Sequence, residues 1–186
     1  MGTIKTTNIE PIADNGTVTL GSSGDTFTMP SGVTVAGGLA MTPAFGASVN
    51  LSQDITASTF TKIQFDNEIL DTDSAYDPTT NYRFTVPSGS AGKYYISLDY
   101  ISASSSNNLT YSILGIYKNG TIFKRSDMNS NSTANAQFRR FPLSSYIIID
   151  LNDGDYIEAF AYIVGTSPYI VGASTSFFGA YKLIGV

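Results

Sequence analysis

The residues of this sequence that can do chemistry are carboxylates and cations, because the 186-residue chain contains no cysteine and no histidine. These absences remove disulfides, thiolate nucleophiles and every histidine-based general base or catalytic triad. Among the carboxylates, Asp71, Asp73 and Asp77 share one predicted loop, and carboxylate oxygens are the ligands that calcium takes. The alternative is turn formation, since an aspartate accepts hydrogen bonds from the backbone that follows it.

A pair of carboxylates would be needed if the protein cleaved a glycan. The chain has only three glutamates, of which Glu10 lies in the N-terminal segment, Glu68 near the aspartate loop and Glu158 inside a predicted strand. These positions suggest no catalytic constellation. We therefore expect no enzymatic activity, and no cofactor apart from the calcium ion that the aspartate loop would hold.

Four of the ten basic residues flank a polar loop at 127–135. Lys124 and Arg125 precede the loop, Arg139 and Arg140 follow it, and Asn131 lies within it. If the two flanking segments pair as neighbouring strands, these cations form a site for an anionic surface glycan. The alternative is protection of a strand edge, for which lysine and arginine are commonly used.

Two further loops, 104–108 and 166–170, complete the predicted contact surface, because binding residues concentrate on loops. Tyr169 is the aromatic residue that we expect to stack on a sugar. The net charge of −5 argues against nucleic acid as a partner. The chain has no run of about 18 apolar residues, so we expect no membrane insertion.

The elements that must position these residues are strands. Residues 94–100 alternate between apolar and polar side chains, which predicts a strand with one buried face. Asn119 and Gly120 predict a two-residue hairpin turn. Residues 146–149 are apolar on both faces, which predicts a central strand buried between two layers. Eight to ten such strands and no helical period indicate an all-β sandwich or jelly roll.

Several strands carry aromatic side chains on their second face, more than a monomer of this size should expose. We therefore expect the protein to form oligomers. The candidate interface residues are Tyr95, Phe160, Tyr162, Phe178 and Tyr181.

Residues 1–43 differ from the globular domain at 44–186. They are rich in threonine and glycine and alternate in very short pieces, which resembles the shaft segments of bacteriophage fibre proteins. The alternative is a flexible linker. Ala36, Gly37 and Gly38 form the expected hinge.

A set of motifs in the second part of the chain points to a known family. The motifs are YD at 76–77, FTVP at 84–87, GKYY at 92–95, KNG at 118–120, LNDGDY at 151–156 and FFGAYKL at 177–183. Their order and spacing resemble the globular head of complement subcomponent one-q and the related tumour-necrosis-factor domains. The resemblance implies a ten-stranded antiparallel jelly roll that assembles as a homotrimer, with aromatic residues near the threefold axis.

Animal members of this family carry a collagen-like stalk, whereas this chain has the fibre-like segment in its place. The combination predicts a trimeric fibre or spike on the outer surface of a virus particle, most simply a bacteriophage. The N-terminal segment would contact other virion proteins and form a short extended β shaft. The head would bind a glycan or protein of the host surface. The alternatives are a purely structural head fibre, decoration or joining protein, or a cellular adhesin or spore-coat protein with the same head.

Overall fold

Two units make up the chain, Met1–Val35 and Ala36–Val186. The structure is a computed structural model that describes residues 22–26, 28, 31, 41–130 and 138–183. In the first unit, Ser22 and Asp25 form a turn in which the Asp25 N–H donates to the Ser22 carbonyl at 3.0 Å. The predicted shaft lies almost entirely outside the described residues, and the boundary at residue 43 stays a prediction.

All described strands belong to the second unit. They are β1 Ala44–Ser48, β2 Gln53–Asp54, β3 Thr61–Lys62, β4 Asn67–Asp71, β5 Tyr76–Asp77, β6 Arg83–Thr85, β7 Gly92–Ala103, β8 Tyr111–Lys118, β9 Thr121–Asn129, β10 Arg140–Leu151, β11 Tyr156–Val164, β12 Tyr169–Ile170 and β13 Phe177–Lys182. A single 3-10 turn, Ala173–Thr175, is the helical element of the described residues. None of these residues forms a helix with the length and apolar character needed to cross a membrane.

The strands form two antiparallel sheets. Sheet A has the order β4-β1-β13-β7-β10, with β12 and β2 added beside the end of β7. Sheet B has the order β5-β6-β11-β8-β9, with β3 beside β11. The predicted all-β antiparallel jelly roll is therefore confirmed. The thirteen described strands exceed the predicted ten, since four of them are two-residue pairings.

The core lies between the sheets and follows the alternation of the two long central strands. In β7 the inward row is Tyr94, Ile96, Leu98 and Tyr100, each at most 1% exposed. In β11 the inward row is Ile157, Ala159, Ala161 and Ile163, all fully buried. Both rows match the period-two pattern in the sequence, because side chains of a strand alternate between its faces.

The hairpin between β8 and β9 also follows from the sequence. Asn119 and Gly120 have φ angles of 51° and 76°, the left-handed conformation that a type I′ turn requires at both central positions. The Asn119 side chain adds a bond to the next hairpin, donating to the Asp155 carboxylate at 2.7 Å. The turn therefore fixes the register of β8 against β9.

Strand β10 differs from its prediction. It pairs only with β7 among the described strands, so it lies at an edge of sheet A instead of at its centre. Its inward residues Leu143, Ile149 and Leu151 are buried, whereas Tyr146 is 70% and Ile148 59% exposed. The strand is apolar on both faces, but within one protomer only one of those faces is covered.

Candidate functional site

The outward side of sheet A carries a continuous row of apolar side chains. In the register of the sheet, Tyr95 on β7 lies between Ile148 on β10 and Tyr181 on β13. The rings of Tyr95 and Tyr181 contact each other with their centroids 5.3 Å apart. Tyr146 extends the row along the edge strand. We call this surface, with the groove described next, the apolar face.

A groove of about 280 Å³ adjoins this row and continues across β13, β1 and β4. Ile69 and Leu70 form one wall and are 61% and 51% exposed. Glycine is needed in the floor: a Cβ on Gly179 would lie 2.6 Å from the ring of Phe177. Gly46 is the second glycine of the floor, and a Cβ there would lie 3.2 Å from the same ring. The Phe177 ring can therefore lie close to the backbone of β1 and β13.

Among the outward side chains of β7 from Tyr95 to Ile101, Asp99 is the charged one. Its register partners are Phe177 on β13 and Ser144 on β10, neither of which is titratable. Burial raises the pKa of the Asp99 carboxyl above its usual range. Within the described part of the chain, no side chain forms an ion pair or a hydrogen bond with it.

The five predicted interface residues separate into three groups. Tyr95 and Tyr181 lie together on the apolar face. Phe178 points the other way, is fully buried, and packs on Phe45 with centroids 5.0 Å apart. The prediction that Phe178 reaches a neighbouring subunit is wrong, because its side chain belongs to the protomer's own core.

Phe160 and Tyr162 lie on the outward side of sheet B. There the chain supplies its own partial cover: Phe60 contacts Tyr162 at 5.2 Å, and Tyr117 contacts Phe160 at 4.1 Å between centroids. Phe60 in the loop before β3 and Tyr117 on β8 thus cover part of the second aromatic face that the sequence left without a partner. The exposure of Phe160 and Tyr162 alone gives no reason to place these two residues in an interface.

The predicted calcium ligands each serve a turn. Asp77 accepts hydrogen bonds from the backbone N–H groups of Thr79, Thr80 and Asn81 at 2.9 to 3.0 Å, and these bonds lower the pKa of its carboxyl. Asp71 accepts from the Tyr76 N–H at 2.8 Å. Asp73 accepts from the Thr72 hydroxyl. Among the described residues no three ligating side chains converge on a metal position, so the turn interpretation fits this geometry and the calcium interpretation does not.

The predicted cluster of four cations is divided between the sheets. Lys124 and Arg125 lie on β9, which pairs with β8, whereas Arg139 and Arg140 lie at the start of β10, which pairs with β7. Arg125 is already bound to Asp127 at 2.5 Å. The site was predicted on the condition that the two flanking segments pair as neighbouring strands, and they do not pair, because β9 belongs to sheet B and β10 to sheet A. Asn131 lies outside the described residues.

Two of the predicted contact loops meet at one end of the sandwich. The Ser104 hydroxyl accepts from the Thr166 N–H at 3.1 Å and donates to the Asn108 amide oxygen at 2.7 Å. Asn108 donates in turn to the Thr166 hydroxyl at 2.6 Å. The backbone of Arg139 joins this end through its carbonyl, which accepts from the Ser104 N–H at 3.0 Å. We call these residues the loop end.

Tyr169 adjoins the loop end through β12, where it pairs with Ala103 of β7 and Asp54 of β2. Its side chain is half-buried, which leaves part of the ring open to solvent. The remaining carboxylate of interest, Glu158, is 5% exposed and ion-paired with Lys62 at 2.5 Å. Glu158 thus holds β3 against β11, and no second carboxylate of the described residues pairs with it for catalysis.

The sequence did not single out the most exposed members of the apolar face, which are Tyr146, Ile148, Ile69 and Leu70. A signal for two of them was present in residues 146–149, whose apolar character on both faces was assigned to a central strand. The same pattern suits an edge strand whose outer face is covered by another molecule. Ile69 and Leu70 were missed since they follow a polar segment with no alternation.

Comparison with solved structures identifies the fold of this domain. The Eiger tumour necrosis factor of S. frugiperda has a TM-score of 0.60 at 12% identity, covering 77% of this chain and 93% of that one. The globular domain of zebrafish complement 1qA has a TM-score of 0.54 at 15% identity, covering 76% and 97%. Murine APRIL has a TM-score of 0.54 at 13% identity, covering 75% and 98%.

At these identities the likeness shows the fold alone, a jelly roll of the kind found in tumour-necrosis-factor and complement one-q heads. It confirms the head architecture that the sequence motifs implied. None of the three names denotes an enzyme. No protein-family model matches the chain, and no curated protein does so either.

Proposed function

We propose that this protein is a homotrimeric fibre or spike of a virus particle, whose head binds the surface of a host cell. The observation that carries the assembly is the apolar face. Large contiguous patches of exposed apolar side chains are uncommon on monomers and mark sites of association. Its most exposed residues are Tyr146, Ile69, Ile148 and Leu70, which are 70%, 61%, 59% and 51% exposed.

The shape of the face favours a ring over a two-fold dimer. Tyr146 and Ile148 project from the edge strand β10, whereas the groove with Gly46 and Gly179 in its floor lies on the opposite side of β7. A second copy that inserts its edge residues into this groove joins two different patches. Such heterologous contacts close into rings when the rotation permits. The number three is what the resemblance to complement one-q and tumour-necrosis-factor heads implies.

A trimer would present three copies of the loop end side by side. Hydrogen bonds between Ser104, Asn108 and Thr166 hold that surface in one shape, so little entropy is lost when it binds. Three weak sites on one trimer, and several trimers on one particle, raise the avidity by about two to four orders of magnitude without any new contact. The threonine-rich segment before the head would attach it to the particle.

Localisation and adsorption experiments test this proposal together. Antibodies raised against the full chain should label the outer surface of purified virus particles in electron micrographs. The free protein should compete with those particles for adsorption to host cells. Surface labelling without competition would replace host binding by a structural role as a head fibre or decoration protein. Absence of labelling from the particles would overturn the proposal.

A further inference from the structure

Asp99 is a carboxylate on the outward side of sheet A whose neighbours there are uncharged. Its neighbours along β7, Leu98 and Tyr100, point into the core and are 1% exposed, so Asp99 points to the outward side. It contributes to a cavity of about 400 Å³ beside the groove. The other residues of that cavity are uncharged: Ser48, Val49, Asn50, Asn67, Ile69, Ala173, Ser176 and Phe177.

The protomer offers Asp99 no compensation. Its flanking residues across the sheet, Ser144 and Phe177, carry no charge, and the residues two positions away on β7 are Ser97 and Ile101. Covering this face would remove the carboxylate from water, which is costly unless a cation or several donors replace the water. If this face serves for association, a cation opposite Asp99 would offset that cost.

The same chain has suitable cations on another surface. Of the described basic residues, Lys62, Lys93, Lys118 and Arg125 have carboxylate partners, and Arg83 stacks on Tyr156. Lys182 lies at the far end of β13, opposite Tyr94. The cations that remain are Lys124, Arg139 and Arg140, and no carboxylate of the described residues is paired with them.

Lys124 lies on β9, Arg140 begins β10, and Arg139 directly precedes it. Strands β9 and β10 are end strands of their two sheets and lie against each other, so these cations share the edge of the sandwich that carries Tyr146 and Ile148. A neighbour that inserts this edge into the groove brings its basic residues toward the cavity of Asp99. We propose that Asp99 forms an ion pair between subunits, with Lys124, Arg139 or Arg140 of the next copy. This inference rests on the proposed homotrimer and adds the charge pair that fixes its register.

The direction in which the association constant changes with pH distinguishes an ion pair from an unpaired buried carboxylate. An ion pair lowers the pKa of Asp99 in the assembly relative to the free protomer, so protons bind the protomer better and acid weakens association. An unpaired carboxylate has its pKa raised further by burial, and acid then strengthens association. The trimer–protomer equilibrium of the full chain, measured at pH 7.5 and pH 5, separates these cases when D99N serves as the reference.

Charge reversal identifies the partner. D99K should weaken association roughly a hundredfold, since like charges then face each other across the interface. Combining D99K with K124D, R139D or R140D should restore association in one of the three double variants. D99K with K182D is the matched control and should restore nothing. Circular dichroism of each variant checks that the protomer still folds.

The outcomes are distinct from failure of the assembly itself. A wild-type protein that is monomeric at every pH refutes the homotrimer. A wild-type trimer whose association strengthens in acid relative to D99N refutes the ion pair while the trimer stands. The ion pair is equally refuted if none of the three double variants recovers association.

Discussion

Exchange of Ile148 for threonine should weaken assembly while leaving the protomer folded. Ile148 lies on the outward side of the edge strand β10 and is 59% exposed in the protomer. Threonine keeps the β-branch that suits a strand. An exposed substitution of this kind changes the free energy of unfolding by about 0.5 kcal/mol or less. Its effect on association is expected to be much larger.

The magnitude follows from the apolar surface that remains to be buried. The exchange replaces the ethyl group on Cβ by a hydroxyl, and each of the two lost carbons contributes about 0.8 kcal/mol when it is buried from water. Scaled by the exposed 59%, the loss is about 1 kcal/mol per subunit and about 3 kcal/mol per trimer. This corresponds to about two powers of ten in the association constant of three chains.

Sedimentation velocity over a range of protein concentrations measures that constant, and urea unfolding of the dissociated protein measures the stability of the protomer. Leu51→Thr is the matched control, since Leu51 is 77% exposed but lies in the loop between β1 and β2, outside the apolar face. The reasoning would be refuted if Ile148→Thr and Leu51→Thr changed association equally. It would also be refuted if Ile148→Thr lowered the free energy of unfolding of the protomer by about 1 kcal/mol, the full loss assigned to association per subunit.

Three further predictions concern the protomer. Phe178→Ala should lower the free energy of unfolding by about 3 to 5 kcal/mol, because it opens a cavity in the core between Phe45 and Phe65; a loss under 1 kcal/mol in urea unfolding would contradict the assigned burial. Asp77→Asn should lower the melting temperature at pH 7. The pKa of Asp77 is lower in the folded than in the unfolded protein, so the carboxylate stabilises the fold above the unfolded pKa, and this stability is lost as the pH falls through the folded pKa. If the melting temperatures of wild type and variant differed as much in strong acid as at pH 7, the charge would not be responsible. Millimolar calcium followed by EDTA should leave the melting temperature unchanged within about 1 °C, since a metal that binds the folded state raises it; a reversible rise would reinstate a calcium site at Asp71, Asp73 and Asp77.

The sequence predicted those parts of the fold that depend on local rules. The alternation around Tyr94 and the Asn119-Gly120 turn each have one physical solution, because strand side chains alternate and a type I′ turn needs two positive φ angles. Both are present in the structure. The resemblance carried by the motifs between residues 76 and 183 implied a jelly roll, and the structure has that fold.

The sequence did not predict which face of a strand is covered by the protein's own core. Phe178 and Tyr181 lie on one strand, and the period of two separates their faces without telling which face meets the core. Residues 146–149 carry apolar side chains on both faces, and a central strand and an edge strand within an interface give the same pattern. The condition for a cluster of four cations was not met, since the sequence does not show that β9 and β10 belong to different sheets.

The mass of the purified 186-residue chain in solution tests the central proposal most directly. Native mass spectrometry at neutral pH should give a particle of three chains of 19.8 kDa each, and dilution of the Ile148→Thr variant should release protomers sooner than dilution of the wild type. A wild-type protein that stays a single 19.8 kDa chain at micromolar concentration would contradict the homotrimer. In that case the apolar face would require a different partner.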